Sequence, residues 1–236
     1  MKVRLRYSKL GKIRWTSHRD MARMWERAFR RTHLPLAYSH GFSPRPKVSF
    51  GLALPTGGES LGEYLDVEVA PEAAGDVDVA ALPGRLSTAL PVGVEVAAAA
   101  VIDDRTPSLQ HEVTSCGWTV RVDGMAHEEL RELASAAVSA PQLLLARERK
   151  GHTTTEDVRP GILSCTAEDE GTLQCELATQ PRALRPSELL RALRPDLEAA
   201  LVRRTHQWIE RDGARVEPLA LLLDAMGARH AHGRAS

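Results

Sequence analysis

The sequence predicts an α+β fold made of two successive domains with the same βαββαβ order, and three observations carry that expectation. Short runs of period-2 alternation recur along the 236 residues. Amphipathic helical stretches fall between these runs rather than gathering at one end. The order strand, helix, strand, strand, helix, strand is complete by residue 102, and a similar pattern restarts at residue 117.

Residues 2–7 form the first strand, with Val3, Leu5 and Tyr7 on one face and Lys2, Arg4 and Arg6 on the other. After a turn at Gly11, Ser17 can cap a helix, with Asp20 three residues later. Met21, Met24, Trp25, Ala28 and Phe29 then make one apolar stripe, and Arg19, Arg23, Arg27, Arg30 and Arg31 take the opposite face. Pro35 closes this helix. The segment "AYSHGFSPRPKVSFGLALPTGGES" (37–60) is too broken for a helix and too apolar for a linker; it ends in a second strand carrying Val48, Phe50 and Leu52. "EYLDVEV" (63–69) is the third strand, "DVAALPGRLSTAL" (78–90) a short helix and "VGVEVAAAAVI" (92–102) the fourth strand. That order implies a ferredoxin-like sheet with both helices on one face.

Residues 103–112 read as a polar linker. Beyond it, "GWTVRV" is a strand, "HEELRELASAAVS" a helix, "QLLLARER" a strand, "GILSCTA" and "TLQCELA" a hairpin, "PSELLRAL" a helix and "LVRRTHQWIE" a last strand. The expected organisation is therefore two tandem ferredoxin-like domains, 1–103 and 113–217, followed by a tail at 218–236.

Composition narrows the classes of function. A 43% hydrophobic content supports a buried core, and every apolar run is shorter than the roughly 18–20 residues that span a bilayer. The charged start lacks the apolar centre of a signal peptide, so a cytoplasmic protein without membrane association is expected. Cys116, Cys165 and Cys175 are odd in number and widely spaced, which favours reduced thiols over disulfides or a metal knuckle. No CxxxCxxC run exists to hold an iron–sulfur cluster, and no cofactor or metal is expected.

The net charge of zero hides an asymmetry. Residues 1–50 hold thirteen Lys or Arg against two acids, Asp20 and Glu26, giving +11 that the rest of the chain offsets. A basic patch of this kind suits a polyanion such as RNA, although the two halves could instead neutralise each other. Arg19, Arg23, Arg27 and Arg30 of the helix, with Arg45, Lys47 and Ser43 of the loop, are the candidate phosphate contacts. Gly41 supplies a positive-φ position, Pro44 and Pro46 fix the course of the chain around Arg45, and Gly57 with Gly58 makes either a hairpin turn or an anion nest. On the open face of the sheet Arg4 and Arg6 can pair with Asp66 and Glu68. Only Tyr64 is available there for base stacking, so any RNA is expected along the helix and loop or between the domains. His18 beside Asp20, with Tyr38 and His40, are the candidates for acid–base chemistry at a phosphate. His230 and His232 lie too close to the end to serve as metal ligands, and the acids and Arg of "TTTEDVRPGI" suit a salt-bridged turn.

The run from Arg6 to Val69 resembles the radical-SAM-linked protein family, a bacterial domain of unknown function associated with B12-binding radical-SAM proteins. It carries that family's "SH-D" helix start at Ser17–Asp20, its "YS-GF-P-PK-SF" loop at Tyr38–Phe50 and its "G-ES-GEYLD" turn at Gly57–Asp66. "EDVRPGI" and "RPSELLRAL" look like second-half signatures of the same family, so the resemblance covers about residues 1–200. One departure, His33 with Leu34 before Pro35, bears on packing rather than on the site. The resemblance implies a radical-SAM enzyme as partner, and a role near tRNA or rRNA modification. The paired domains also resemble those of CRISPR RNA-processing endonucleases at the level of fold alone. The first functional expectation is a non-catalytic RNA-binding or substrate-presenting accessory of such an enzyme. The alternatives are a metal-independent endoribonuclease using His18 with Tyr38 or His40, and a protein-binding scaffold without nucleic acid.

Overall fold

The computed structural model describes residues 1–149, 151–168, 171–211 and 213–219. The expected tail, including His230 and His232, lies outside the described residues apart from its first two positions. Mostly antiparallel strands and several helices make this an α+β protein. The chain divides into two compact units, one of Met1–Val113 together with the chain from Ile209 onward, the other Thr114–Trp208.

In the first unit, β1 (Lys2–Lys9) leads through a 3-10 turn at Gly11–Trp15 into α1 (His18–Arg31). Then come β2 (Val48–Phe50), β3 (Glu59–Glu68), α2 (Leu82–Ala89), β4 (Val94–Ile102) and α3 (Leu109–Glu112). The strand order is β4-β1-β3-β2 and every one of these pairings is antiparallel. Val3, Leu5 and Tyr7 of β1, Leu65 and Val67 of β3, and Val94 and Val96 of β4 point into one core. The apolar stripes of α1 (Met21, Trp25, Ala28, Phe29) and α2 (Leu82, Leu86) close that core.

The other face of the sheet is covered as well, contrary to the open surface that alternation alone suggests. Tyr64 is 1% exposed and gives no stacking platform. Arg4 meets its register partner Asp66 in a buried bidentate pair, Nε to Oδ1 at 2.7 Å and Nη2 to Oδ2 at 3.0 Å. Glu112 of α3 stands 3.6 Å from the same guanidinium, and Leu109 is buried near Gly51. The stretch expected as a linker therefore packs onto the first unit. Arg6 pairs with Glu217 at 2.7 Å rather than with Glu68, which takes Lys47 at 2.8 Å.

The second unit runs β5 (Val113–Arg121), α4 (His127–Ser139), β6 (Leu144–Arg149), β7 (His152–Asp157), β8 (Ile162–Ala167), β9 (Thr172–Ala178), α5 (Pro186–Leu193) and β10 (Leu201–Arg211). Its main strand order is β10-β5-β9-β8. From Ile209 the chain belongs to the first unit again and pairs with β11 (Ala214–Val216). "QLLLARER" does not join the main sheet: β6 and β7 form a separate two-stranded sheet. Charge fixes this hairpin. Arg147 lies 3.4 Å from both Glu156 and Glu188, and Arg182 reaches the same two acids at 2.8 and 3.0 Å.

Cys165 and Cys175 are register partners across β8 and β9, and all three thiols are free and buried. Burial pushes the Cys165 thiol up to about 11; burial, then the neighbouring Cys165, pushes Cys175 higher still. Thiolate is the reactive form, so neither should be alkylated in the folded protein at about pH 8, and both should react once it is unfolded in urea. Labelling at the rate of a free thiol before unfolding would contradict this placement.

Candidate functional site

Ser17 starts α1 as the sequence implies, its Oγ accepting the Asp20 N–H at 3.2 Å and donating to Asp20 Oδ2 at 2.8 Å. Burial of Met21, Trp25 and Phe29 fixes the helix rotation, and Arg19, Arg23, Arg27 and Arg30 are consequently exposed. The helix ends where Thr32 Oγ1 bonds the Ala28 carbonyl at 2.9 Å and His33 turns the chain at φ 50°. This is a left-handed conformation that few residues other than Gly adopt.

From there the chain runs as a narrow ladder against β3. Leu36 bridges Val69, the Ala37 N–H donates to the Glu68 carbonyl at 2.8 Å, and Lys47 N–H returns to the Ala37 carbonyl at 2.8 Å. Tyr38 bridges Pro46, Ser39 N–H donates to the Arg45 carbonyl at 2.9 Å, and Arg45 N–H donates to Ser39 Oγ at 3.1 Å. Gly41 has φ 127°, as the tip of this clasped loop requires.

Loop and helix enclose a groove of about 560 Å³. Arg19, Arg23 and Arg30 line it from the helix; Tyr38, Pro44, Arg45 and Pro46 line it from the loop; Phe29, Leu34 and Leu36 give it apolar wall. Among the described residues Arg19, Arg30 and Arg45 have no ion pair, and Arg23 has only an exposed one with Asp20 at 3.4 Å. Repulsion between such neighbours three and four residues apart costs a few tenths of a kcal/mol per pair, about 0.2–0.5, and an anion in the groove would remove it. Glu26 is the carboxylate among the groove residues.

Not every expected contact lies there. Arg27 falls about 80° around the helix from Arg19 and is outside the groove lining, as are Ser43 and the ion-paired Lys47. Gly57 N–H donates to the Arg14 carbonyl and Gly58 N–H to the Pro55 carbonyl, each at 2.9 Å, so this glycine pair is a turn. His18 packs edge-on to Phe50 and lines a separate cavity of about 30 Å³ with Lys9, Glu63 and Tyr64. Burial lowers the pKa of Lys9, opposed by Glu63, and its ammonium donates to the Arg14 and Thr16 carbonyls at 3.2 and 3.0 Å, holding the turn ahead of α1. Tyr38 lines the larger groove and His40 lines neither, so no described cavity gathers the three acid–base candidates.

Two polar groove residues escaped the sequence reading. His33, expected to matter for packing alone, lines the groove, and so does Glu26. The signal for both was present: 26 and 33 continue the stripe 19, 22, 26, 29/30, 33 at helical spacing. Among the described residues no group of three or more His, Cys, Asp and Glu is placed to hold a metal ion, and no helix is long and apolar enough to cross a membrane.

Fold and groove together define an α+β protein with a cationic groove built from one helix and one clasped loop. No curated protein matches the chain. The chain belongs to a bacterial family, described as uncharacterized protein conserved in bacteria (DUF2344), whose model matches residues 2–186.

Proposed function

We propose that the chain is a non-catalytic RNA-binding or substrate-presenting accessory protein of a radical-SAM enzyme, cytoplasmic, with its two units as tandem ferredoxin-like domains. The observation that carries the RNA reading is the groove: three arginines that have no ion pair among the described residues, and a fourth with only an exposed one, converge from the helix and from the loop that follows it. Arginines on a solvated helix face need no such convergence, whereas phosphates along a strand do. The strand orders β4-β1-β3-β2 and β10-β5-β9-β8 support the domain reading. The enzyme partner rests on the motifs at Ser17–Asp20, Tyr38–Phe50 and Gly57–Asp66.

Salt dependence tests the phosphate role directly. Each phosphate contact contributes about 0.7–0.9 to the slope of log K against log salt, so the combined Arg19→Ala, Arg23→Ala, Arg45→Ala variant should flatten RNA binding by about 2–3. Binding that is absent, or insensitive to salt in the wild type, would sink the proposal. Co-purification with a radical-SAM enzyme from the same cells tests the partner separately.

A further inference from the structure

We infer that the groove takes a single-stranded RNA segment, with one base stacked on Tyr38 and the flanking phosphates on Arg45 and the α1 arginines. The inference rests on the RNA reading above and goes beyond it by naming the form of the RNA.

The groove is not uniformly polar, and that decides between strands. A duplex offers a ridge of phosphates with its bases stacked inside, so it could use the arginines but not the accessible apolar surface of Tyr38, Pro44 and Pro46. A single strand presents both an anionic edge and a flat, weakly hydrated face. The volume of about 560 Å³ lies within the range of about 300–1,000 Å³ typical of sites for small organic ligands, and so suits a nucleotide or two rather than a helical segment.

Tyr38 has the properties that stacking needs. The residue is 51% exposed, yet its backbone is held on both sides by the Ala37 and Ser39 hydrogen bonds and by its bridge to Pro46. An exposed aromatic ring on a backbone that is already held has only its own two side-chain torsions to order when a base covers it. Glu26 fits the same guest. As the carboxylate of the groove it can accept from an N–H on a base edge, such as the N3–H of uracil, while it would repel a second phosphate laid across the same spot.

The test is fluorescence anisotropy on the full chain, with labelled oligouridine alone and annealed to oligoadenine. Single strand should bind at least about ten-fold tighter than duplex, and Tyr38→Ala should weaken the single strand by about ten- to a hundred-fold without changing its salt slope. Tyr38→Phe should retain binding. As a readout that needs no variant, photo-crosslinking of 4-thiouridine RNA to the wild type should place adducts within residues 36–46. Equal affinity for both RNAs with no effect of Tyr38→Ala, or adducts only elsewhere, overturns the inference and leaves the phosphate-binding proposal standing. Binding of neither RNA, or preference for polyglutamate over the single strand, overturns both.

Discussion

Asp66→Ala should destabilise the protein by about 3–5 kcal/mol, seen as a lower urea midpoint at unchanged slope. The Arg4 side chain is 2% exposed, and Asp66 supplies both acceptors of its bidentate pair. Glu112 at 3.6 Å is too distant to replace them. Losing the aspartate leaves a guanidinium in the interior without its hydrogen bonds, and the penalty is mostly that desolvation. The partner substitution distinguishes this cause from simple loss of packing. Arg4→Met combined with Asp66→Leu removes both charges and keeps the volume, so it should cost much less than Asp66→Ala. A double variant as unstable as the single one would show that the pair is not what matters there.

A second large effect is expected at Trp25, which is fully buried. Its ring meets Tyr7 edge-on with centroids 5.0 Å apart, and lies tilted against Phe29 at 5.4 Å. Trp25→Ala should cost about 3–5 kcal/mol by opening a cavity between α1 and the sheet, measured as a fall in the thermal midpoint. Trp25→Phe should be far milder, because the indole Nε1 makes no hydrogen bond among the described residues that the substitution would break. Equal losses for Ala and Phe would mean that the site depends on the full indole shape. Because Trp25 sets the rotation of α1 and packs on the groove residue Phe29, its loss should also weaken the RNA binding proposed above.

Both predictions depend on features that the sequence announces unequally. The apolar stripe of α1 was legible because helical spacing and the Ser17 cap agree, and Met21, Trp25, Ala28 and Phe29 are all buried. The arginine face followed from the same rotation. Alternation in β3 gave the faces of Leu65 and Val67 but not the fate of the other side, since a period of two cannot tell whether a second layer covers it. Tyr64 and Asp66 are buried there, next to a short helix in a stretch that reads as a polar linker.

β7 was invisible for a different reason. "HTTTED" has no apolar alternation, and the hairpin is held by charges whose partners lie in β6, α5 and the segment before it. The groove itself was half legible. The charges of helix and loop could be read separately, while their convergence depends on a turn at His33 and a ladder along β3 that local spacing does not encode.

That turn also has a bearing on how such a protein can change. At position 33 a glycine would relax the backbone, since it adopts positive φ without the strain of a Cβ. The chain instead keeps an imidazole, and places it in the groove. A substitution that makes the helix end more robust would therefore strip a ring from the cationic surface, so thermal hardiness and the lining of the groove are in tension at this one residue. Attempts to improve the scaffold by optimising helix ends would work against the groove at the point where both meet.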